Sequence, residues 1–173
     1  MSHALPRPAA GARPEALYPD LLAALDGLLA GERHPIANCA NAAALLYQLL
    51  PDLNWAGVYL FDGRELVVGP FQGKPACVRI AIGQGVCGTA AARRETVVVE
   101  DVHAFPGHIA CDAASNSEIV VPLLAAQGLV GVLDLDSPRL GRFGAADAAG
   151  LGAFAARLVA GSDWDGPYLA REM

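Results

Sequence analysis

Apolar residues are spaced for helices in three segments of the chain. In the first, residues 18–32, the leucines at helical spacing are Leu21, Leu22, Leu25, Leu28 and Leu29. This spacing predicts an amphipathic helix with Pro19 and Asp20 in its first turn and Gly31 at its end. Residues 35–50 predict a second helix that stops before Pro51. Residues 144–160 predict the last helix.

Between the second and the last helix the pattern changes to strand-like runs. Residues 54–71 form two such runs around Asp62-Gly63, a dipeptide that favours a hairpin turn. Further strands are expected at residues 76–82 and 96–100, with a short helix at 85–94. Two more strands are expected within 118–137, turning near Gln127-Gly128. This order predicts an α+β domain with a mostly antiparallel sheet, and a pocket between one sheet face and the loops of residues 70–118.

Length and composition favour one domain without permanent cross-links. We expect a flexible leader over residues 1–15, a single folded domain over 16–160 and a C-terminal tail over 161–173. Hydrophobic residues make up 54% of the chain, but no apolar run is long enough to cross a bilayer, and no secretion signal is present. These features indicate a cytoplasmic protein. The net charge of −6 without a basic stripe argues against binding to nucleic acid or an anionic membrane.

Alternation along residues 129–136 makes a carboxylate cluster the first candidate site. In an extended strand, Val130, Val132, Asp134 and Asp136 would share one face, opposite Leu129, Leu133 and Leu135. A hairpin at Gln127-Gly128 would pair residues near Glu118 with residues near 136, so Glu118 would join the two aspartates. Such a cluster could bind an ammonium group or a metal ion, or keep a proton for catalysis. The alternative is a strand that simply emerges into solvent.

The cysteines are the second candidate. A reducing cytoplasm favours free, catalytic or metal-bound thiols. Cys39 lies among alanines of the second helix and is expected to be a small core residue. Cys111, in a polar loop, has the setting of a reactive thiol, with Cys77 and Cys87 as candidate partners once it is oxidised. A zinc site is an alternative, with His103, His108 and Cys111 and either Cys77 or Cys87 as its ligands. The spacing between these cysteines matches no familiar zinc module.

Five sequence blocks together resemble a known family. They are NWAGVY, GPFQGKPACVRI, GQGVCGTA, EDVHAFPGHIACDAASNSEIVVPL and GVLDLDS followed by GRF. Over residues 38–160 the chain is similar to the free methionine-R-sulfoxide reductases, single-domain members of the GAF fold. The resemblance implies reduction of free methionine-R-sulfoxide to methionine by cysteine attack on the sulfoxide sulfur, followed by a disulfide.

The resemblance also implies roles for individual residues. Cys111 of HIACD would be the nucleophile, Cys77 of PACVRI the resolving thiol, and Cys87 of GVCGT a third redox or substrate-contact cysteine. The substrate site would be lined by Glu118, Asp134, Asp136, Trp55 and Tyr59. No bound cofactor or metal is implied. A thioredoxin-type dithiol would be the external reductant. The sequence does not fix the oligomeric state, for which a homodimer is one option.

Residue chemistry is compatible with this mechanism. A protonated carboxyl, with Glu118 or Asp134 favoured, could deliver a proton as the S–O bond breaks. Pairing of the acids with the substrate's α-ammonium would restrict the enzyme to the free amino acid. The sequence leaves open which carboxyl is the donor and whether Cys77 or Cys87 resolves first. The alternatives are a non-catalytic GAF sensor module, a thiol peroxidase and a zinc hydrolase.

Overall fold

The computed structural model describes residues 14–107 and 113–165. The predicted leader over 1–15 and tail over 161–173 lie largely outside these ranges, and so do His108 and Cys111. Within the described residues, no helix is long and apolar enough to cross a membrane.

The described residues form four α-helices and six strands in an α+β arrangement. In chain order they are α1 (Pro14–Leu29), α2 (Pro35–Leu49), β1 (Trp55–Phe61), β2 (Glu65–Gly73), β3 (Arg79–Ala81), α3 (Gly85–Arg93), β4 (Val97–Val99), β5 (Ser117–Ala125), β6 (Gly128–Ser137) and α4 (Ala145–Ala160), with a short 3-10 helix at Val102–Ala104 between β4 and β5. The strands form one sheet in the order β3-β2-β1-β6-β5-β4, in which all neighbours are antiparallel.

The sheet separates two apolar clusters. Helices α1, α2 and α4 cover one face, where Ala56 and Val58 of β1 pack with helix residues such as Leu21 and Phe154. Helix α3 and its flanking loops cover the other face, where Trp55 of β1 packs in the second cluster. Because successive side chains of a strand point to opposite faces of the sheet, neighbouring residues of β1 pack in different clusters. Trp55, Tyr59 and Cys87, all predicted site residues, lie on the α3 side.

The predicted hairpins are confirmed. Asp62-Gly63 turns the chain between β1 and β2: the Asp62 carboxylate accepts from the backbone N–H groups of Arg64 and Glu65, and Gly63 has a φ of 91°. The positive φ explains why glycine is favoured there. Strands β5 and β6 pair as expected, with Ala125 opposite Gly128 and Glu118 opposite Asp136.

The first helix begins earlier than predicted. It starts at Pro14 and has Pro19 inside it rather than in its first turn. Proline lacks the N–H that would donate to the carbonyl of residue 15. Burial of Leu17 and Tyr18 in the helix-side core offsets that loss, because only a helical backbone directs both side chains inward.

The predicted alternation of β6 is wrong at one end. Val130 packs in the helix-side cluster and Leu129 packs against the α3-side cluster, the reverse of the expectation. The pairing shifts there, since Leu123 pairs with Gly131 but Leu124 pairs with Leu129, leaving Val130 as an extra residue. A bulge of this kind inverts alternation on one side of itself. Beyond it, Val132 lies on the α3 side and Leu133 and Leu135 on the helix side, as predicted.

Candidate active site

A pocket opens between the α3 face of the sheet and the loops that follow β2 and β3. It encloses about 540 Å³, counting its solvent-open mouth. Its lining comes from Trp55, Tyr59, Lys74, Pro75, Ala76, Ile80, Gln84, Gly85, Val86, Cys87, Ser115, Glu118, Asp134 and Asp136. The pocket lies in the region predicted from the sequence, between one sheet face and the loops of residues 70–118.

Aromatic rings form one wall of the pocket. Trp55 stacks on Tyr59, with ring centroids 5.8 Å apart, and on Phe71, with centroids 5.3 Å apart. The Trp55 indole Nε1 donates to the carbonyl oxygen of Lys74 at 3.1 Å. The indole is therefore held by two stacked rings and one hydrogen bond, which suits a fixed surface for an apolar or sulfur-bearing group.

Strand register brings the three carboxyl groups to one end of the pocket. Asp136 lies opposite Trp55 on β1 and opposite Glu118 on β5, and Asp134 lies opposite Gly57 and Val120. Glu118 and Asp134 are buried at 6% exposure each, whereas Asp136 is half-buried. Two acids of the pocket lining are thus withdrawn from water.

Burial changes the protonation of these acids. Loss of hydration, with repulsion from Asp134 and Asp136, raises the pKa of Glu118 well above its ordinary value. Burial also raises the pKa of Asp134 to about 7, although hydrogen bonds from Cys87 and Glu118 act in the opposite direction. The cluster consequently holds proton equivalents close to neutral pH. That is the state a general acid requires.

Cys87 lies beside the acids in the first turn of α3. Its Sγ donates to Glu118 Oε1 at 3.9 Å. Complete burial and the neighbouring carboxylates raise the pKa of Cys87 well above the ordinary thiol value. In this environment Cys87 is a protonated hydrogen-bond donor and not a thiolate nucleophile.

One acceptor in the cluster has no partner among residues 14–107 and 113–165. Asp134 Oδ1 is buried and accepts no hydrogen bond from these residues. One ligand atom from each of Cys87, Glu118 and Asp134 lies within 4.8 Å of the others, a spacing that an ammonium group or a metal ion could bridge. A positively charged group at this place would be paired with the carboxylates that surround it.

The other cysteines differ from Cys87 in bonding state or in location. Cys77 is disulfide-bonded and Cys39 and Cys87 are free thiols. Cys39 is fully buried in the helix-side core, as predicted. The predicted nucleophile Cys111 lies outside the described residues. His103, an alternative zinc ligand from the sequence, is exposed and its Nε2 contacts Asn116 Oδ1 at 3.0 Å.

Several residues near the pocket were missed by sequence reasoning. Asn54 Nδ2 donates to the Ser115 hydroxyl at 2.9 Å, which joins the start of β1 to the segment before β5. Asn116 Nδ2 donates to the Pro138 carbonyl at 2.7 Å, and the Asn116 backbone N–H donates to Ser137. The polar run ASNSE could have indicated such loop-anchoring bonds, since Asn and Ser side chains often bind nearby backbone groups.

Comparisons with known proteins agree with the family resemblance of the sequence. Residues 34–161 match the GAF domain family. The free methionine-R-sulfoxide reductase of Escherichia coli K12 is 56% identical over 141 residues, which cover 82% of this chain and 86% of that protein. This chain belongs to the free methionine-R-sulfoxide reductase family. The predicted family and GAF fold are both confirmed.

Solved structures agree with this family assignment. The reductase from Neisseria meningitidis, solved in complex with its substrate, is 46% identical with a TM-score of 0.88, covering 92% of this chain and 95% of that one. The Staphylococcus aureus enzyme in its reduced form is 49% identical with a TM-score of 0.79, covering 82% and 92%. This chain thus shares its fold with a reductase whose structure was solved with its substrate bound.

Proposed function

We propose that the protein reduces free L-methionine-R-sulfoxide to L-methionine, with Cys111 as nucleophile and Cys77 as resolving thiol. The observation that carries this proposal is the meeting of two buried, proton-holding acids with a rigid aromatic wall in one pocket. The acid end matches an α-ammonium group, and the wall of Trp55 and Tyr59 matches a methyl sulfoxide. A small zwitterion with a sulfur side chain fits both.

In the first step the Cys111 thiolate attacks the sulfoxide sulfur. The sulfoxide oxygen gains negative charge and takes a proton from Glu118 or Asp134, whose raised pKa values keep a proton available. The transient bond between the two sulfur atoms then breaks as the hydroxyl passes from the substrate sulfur to the Cys111 sulfur, which releases methionine and leaves Cys111 as a sulfenic acid. The substrate sulfur has been reduced by two electrons, and the Cys111 sulfur has been oxidised by two.

In the second step the Cys77 thiol attacks the Cys111 sulfenic sulfur. A disulfide forms and water leaves with the former sulfoxide oxygen. The disulfide at Cys77, with Cys39 and Cys87 both free, supports Cys77 as the resolving thiol. We assign Cys87 a substrate-contact role, because its thiol is protonated and donates to Glu118.

Recycling requires an external dithiol, for which we propose a thioredoxin-type protein. This proposal, a cytoplasmic location and a homodimeric assembly rest on the family resemblance and the sequence composition. The catalytic domain is proposed to span residues 16–160. Half-exposed Asp136 is proposed to pair with the substrate ammonium at the open side of the cluster.

The test is a turnover assay with separated R and S diastereomers of free methionine sulfoxide, run beside N-acetyl-methionine-R-sulfoxide. We expect the unblocked R form to be preferred by about 100-fold or more in kcat/KM, because acetylation removes the charge that the buried acids would pair with. Equal rates with the acetylated substrate would contradict the ammonium argument. Tight binding of the R form without turnover would favour the GAF sensor alternative.

A further inference from the structure

Asn116 closes the base of the chain segment to which Cys111 belongs. The Asn116 main-chain carbonyl accepts from the Val102 N–H at 3.0 Å, and Asn116 Oδ1 lies 3.0 Å from His103 Nε2. These contacts join the 3-10 helix that follows β4 to the residue before β5. Between them in the sequence lie residues 104–115, here called the Cys111 segment. Segments of about 6 to 16 residues whose ends lie close together are frequently functional.

The side chain of Asn116 also binds the end of β6. Its Nδ2 donates to the Pro138 carbonyl at 2.7 Å, and the Asn116 main-chain N–H donates to the Ser137 carbonyl at 2.8 Å. A carbonyl oxygen can only accept, so the amide NH2 group faces Pro138 and the amide oxygen accepts from His103 Nε2–H. Asn116 therefore joins the 3-10 helix to β6 through its main chain and through its side chain.

The residue before Asn116 connects the same place to β1. The Ser115 hydroxyl accepts from Asn54 Nδ2 at 2.9 Å, and the Asn54 main-chain N–H donates to the Asp136 carbonyl at 3.1 Å. Ser115 is buried and lines the pocket together with Asp136 and with Trp55, which follows Asn54 in the sequence. The end of the Cys111 segment is thus bonded to the strands that carry the aromatic wall and one of the acids.

The amide bonds of Asn116 are suited to local positioning more than to stabilising the whole fold. Both are exposed, and an exposed hydrogen bond replaces bonds to water with little net gain in free energy. Position has a larger effect on a reaction, because a displacement of about 1 Å can lower a rate by about 100-fold. The main consequence of losing the amide is therefore expected in the placement of the Cys111 segment.

We propose that Asn116 is a positioning residue for the nucleophile. Its amide holds the base of the Cys111 segment against β6 and thereby sets the reach of Cys111 to the substrate and to Cys77. This inference rests on the proposed function and deepens it, since it gives a residue that is not part of the pocket lining a share in both steps. Both steps require the Cys111 sulfur to lie within reach of its reaction partner.

The first experiment measures the disulfide equilibrium, which requires no methionine sulfoxide. Oxidised protein is equilibrated with mixtures of reduced and oxidised glutathione. Two glutathione molecules supply the two electrons and two protons that convert the Cys77 disulfide into two thiols, and they become oxidised glutathione. Alkylation and mass spectrometry then count the thiols. In Asn116→Ala we expect the equilibrium to shift by about tenfold or more toward the dithiol, which equals about 30 mV, because the two sulfurs are held together less often.

The second experiment separates substrate binding from chemistry. Reduced protein reacts once with free L-methionine-R-sulfoxide without added reductant, and the methionine formed is quantified over time. In Asn116→Ala we expect the rate at saturating substrate to fall by about tenfold or more. The Kd for L-methionine, measured by isothermal titration calorimetry, should change by less than about threefold, because the pocket lining is unchanged.

His103→Ala removes one of the two amide contacts and should therefore have a smaller effect of the same kind. Adding His103→Ala to Asn116→Ala should cause no further loss in either experiment, because the contact it removes is already absent.

Two variants control for general effects, and neither residue lines the pocket. Gln127→Ala removes another exposed amide bond, from Nε2 to Asp165. Asn38→Ala removes buried bonds beside α4, such as that to the Ser162 hydroxyl, so it should lower stability. Neither variant should shift the glutathione equilibrium or the single-turnover rate.

An unchanged glutathione equilibrium or an unchanged single-turnover rate in Asn116→Ala would overturn the inference, and so would shifts of equal size in Asn38→Ala. The absence of a disulfide between Cys77 and Cys111 in the wild-type protein would overturn it as well. Should the wild-type protein leave free methionine-R-sulfoxide unreduced, the proposed function fails instead. The inference is then judged by the glutathione equilibrium alone.

Discussion

At the residue scale, the acid cluster combines features that work against stability. Glu118 and Asp134 are buried side by side, and Asp134 Oδ1 has no hydrogen-bond partner among the described residues. Each negative charge there loses hydration and repels its neighbour. Binding an ammonium group would relieve both effects, while an added proton would relieve them in its absence. The proposed roles in ligand binding and acid catalysis therefore carry a cost in the stability of the ligand-free folded state.

Replacing Asp134 by Asn is expected to make stability less sensitive to pH. Because the folded-state pKa of Asp134 is raised to about 7, the folded protein binds more protons than the unfolded chain between about pH 4 and pH 7. Wild-type stability should therefore fall as pH rises through this window. Relative to wild type, the variant should gain about 1 to 3 kcal/mol in free energy of unfolding between about pH 4 and pH 8.

Urea unfolding of the oxidised protein at about pH 4 and about pH 8 measures this gain in the free energy of unfolding. Asp20→Asn, at an exposed position of α1, is the control. Parallel stability curves for wild type and Asp134→Asn would show that the burial of Asp134 has no electrostatic consequence.

Cysteine replacements should separate the two redox roles, nucleophile and resolving thiol, from the structural role of Cys39. Cys111→Ser is expected to abolish sulfoxide reduction, because a hydroxyl is a far weaker nucleophile toward sulfur than a thiolate. Cys77→Ser should form about one methionine per protein and then stop with a thioredoxin-type reductant, because no disulfide can form. Chromatographic quantification of methionine provides the readout. Cys39→Ala is the control and should retain multiple turnover, because Cys39 lies in the core and is not part of the pocket lining. Multiple turnover in Cys111→Ser would refute the assignment of Cys111 as the nucleophile.

At the element scale, the bulge in β6 shows how a local irregularity can leave a site intact. The extra residue Val130 lies near the turn end of the β5–β6 hairpin, whereas Asp134 and Asp136 lie toward the other end. Alternation is regular between them, so the acids keep the α3 face. A bulge between Asp134 and Asp136 would instead have moved one carboxylate to the helix-side core.

The packing of strand β1 requires a glycine, Gly57, between Trp55 and Tyr59. A Cβ on Gly57 would overlap Phe71 Cβ and Trp55 Cη2. We expect Gly57→Ala to lower the free energy of unfolding by about 1 to 3 kcal/mol and to weaken substrate binding, because Trp55 must shift. Chemical denaturation and KM provide the measurements.

Gly27→Ala is the matched control for that change. Gly27 lies within α1, and a Cβ there would meet nothing within 4 Å. Alanine should stabilise the helix by about 0.5 to 1 kcal/mol and leave KM unchanged. If Gly57→Ala behaved like Gly27→Ala, close packing of the aromatic wall would not constrain this strand.

At the scale of the whole molecule, a buried polar network ties the helical layer together. Asp147 Oδ1, at the start of α4, accepts from the Tyr18 hydroxyl of α1 at 2.8 Å and from Arg142 Nη1 at 3.2 Å. Arg142 Nε donates to the Pro51 carbonyl at 3.1 Å, in the connection from α2 to β1. Burial and the Asp147 carboxylate raise the pKa of Tyr18, so it stays a hydroxyl donor. Segments distant in the sequence meet at this one carboxylate.

Asp147→Asn is expected to destabilise the protein by about 3 to 5 kcal/mol, because the buried Arg142 guanidinium would lose its counter-charge. Asp26→Asn, which removes the exposed partner of Arg157, should change stability by no more than about 1 kcal/mol. Thermal unfolding of both variants tests the contrast. Similar shifts in Tm would mean that the buried pair contributes no more than a surface pair.

The sequence by itself determined the elements, the hairpins and the grouping of the acids. Helical and strand periods and turn dipeptides such as Asp62-Gly63 act over a few residues, so they can be identified without the fold. Hairpin pairing of β5 with β6 is nearly as local, which is why the juxtaposition of Glu118 and Asp136 could be predicted. The start of α1 could not, because burial of Leu17 and Tyr18 depends on the distant α4.

Only the tertiary structure decided the chemistry of those acids. Sheet order placed β1 beside β6, so that Trp55 faces Asp136, and packing of α3 on the same face brought Cys87 to Glu118. The pKa shifts follow from that burial. These features arise from contacts between segments far apart in the chain, and such contacts depend on how whole layers pack. No local period encodes them.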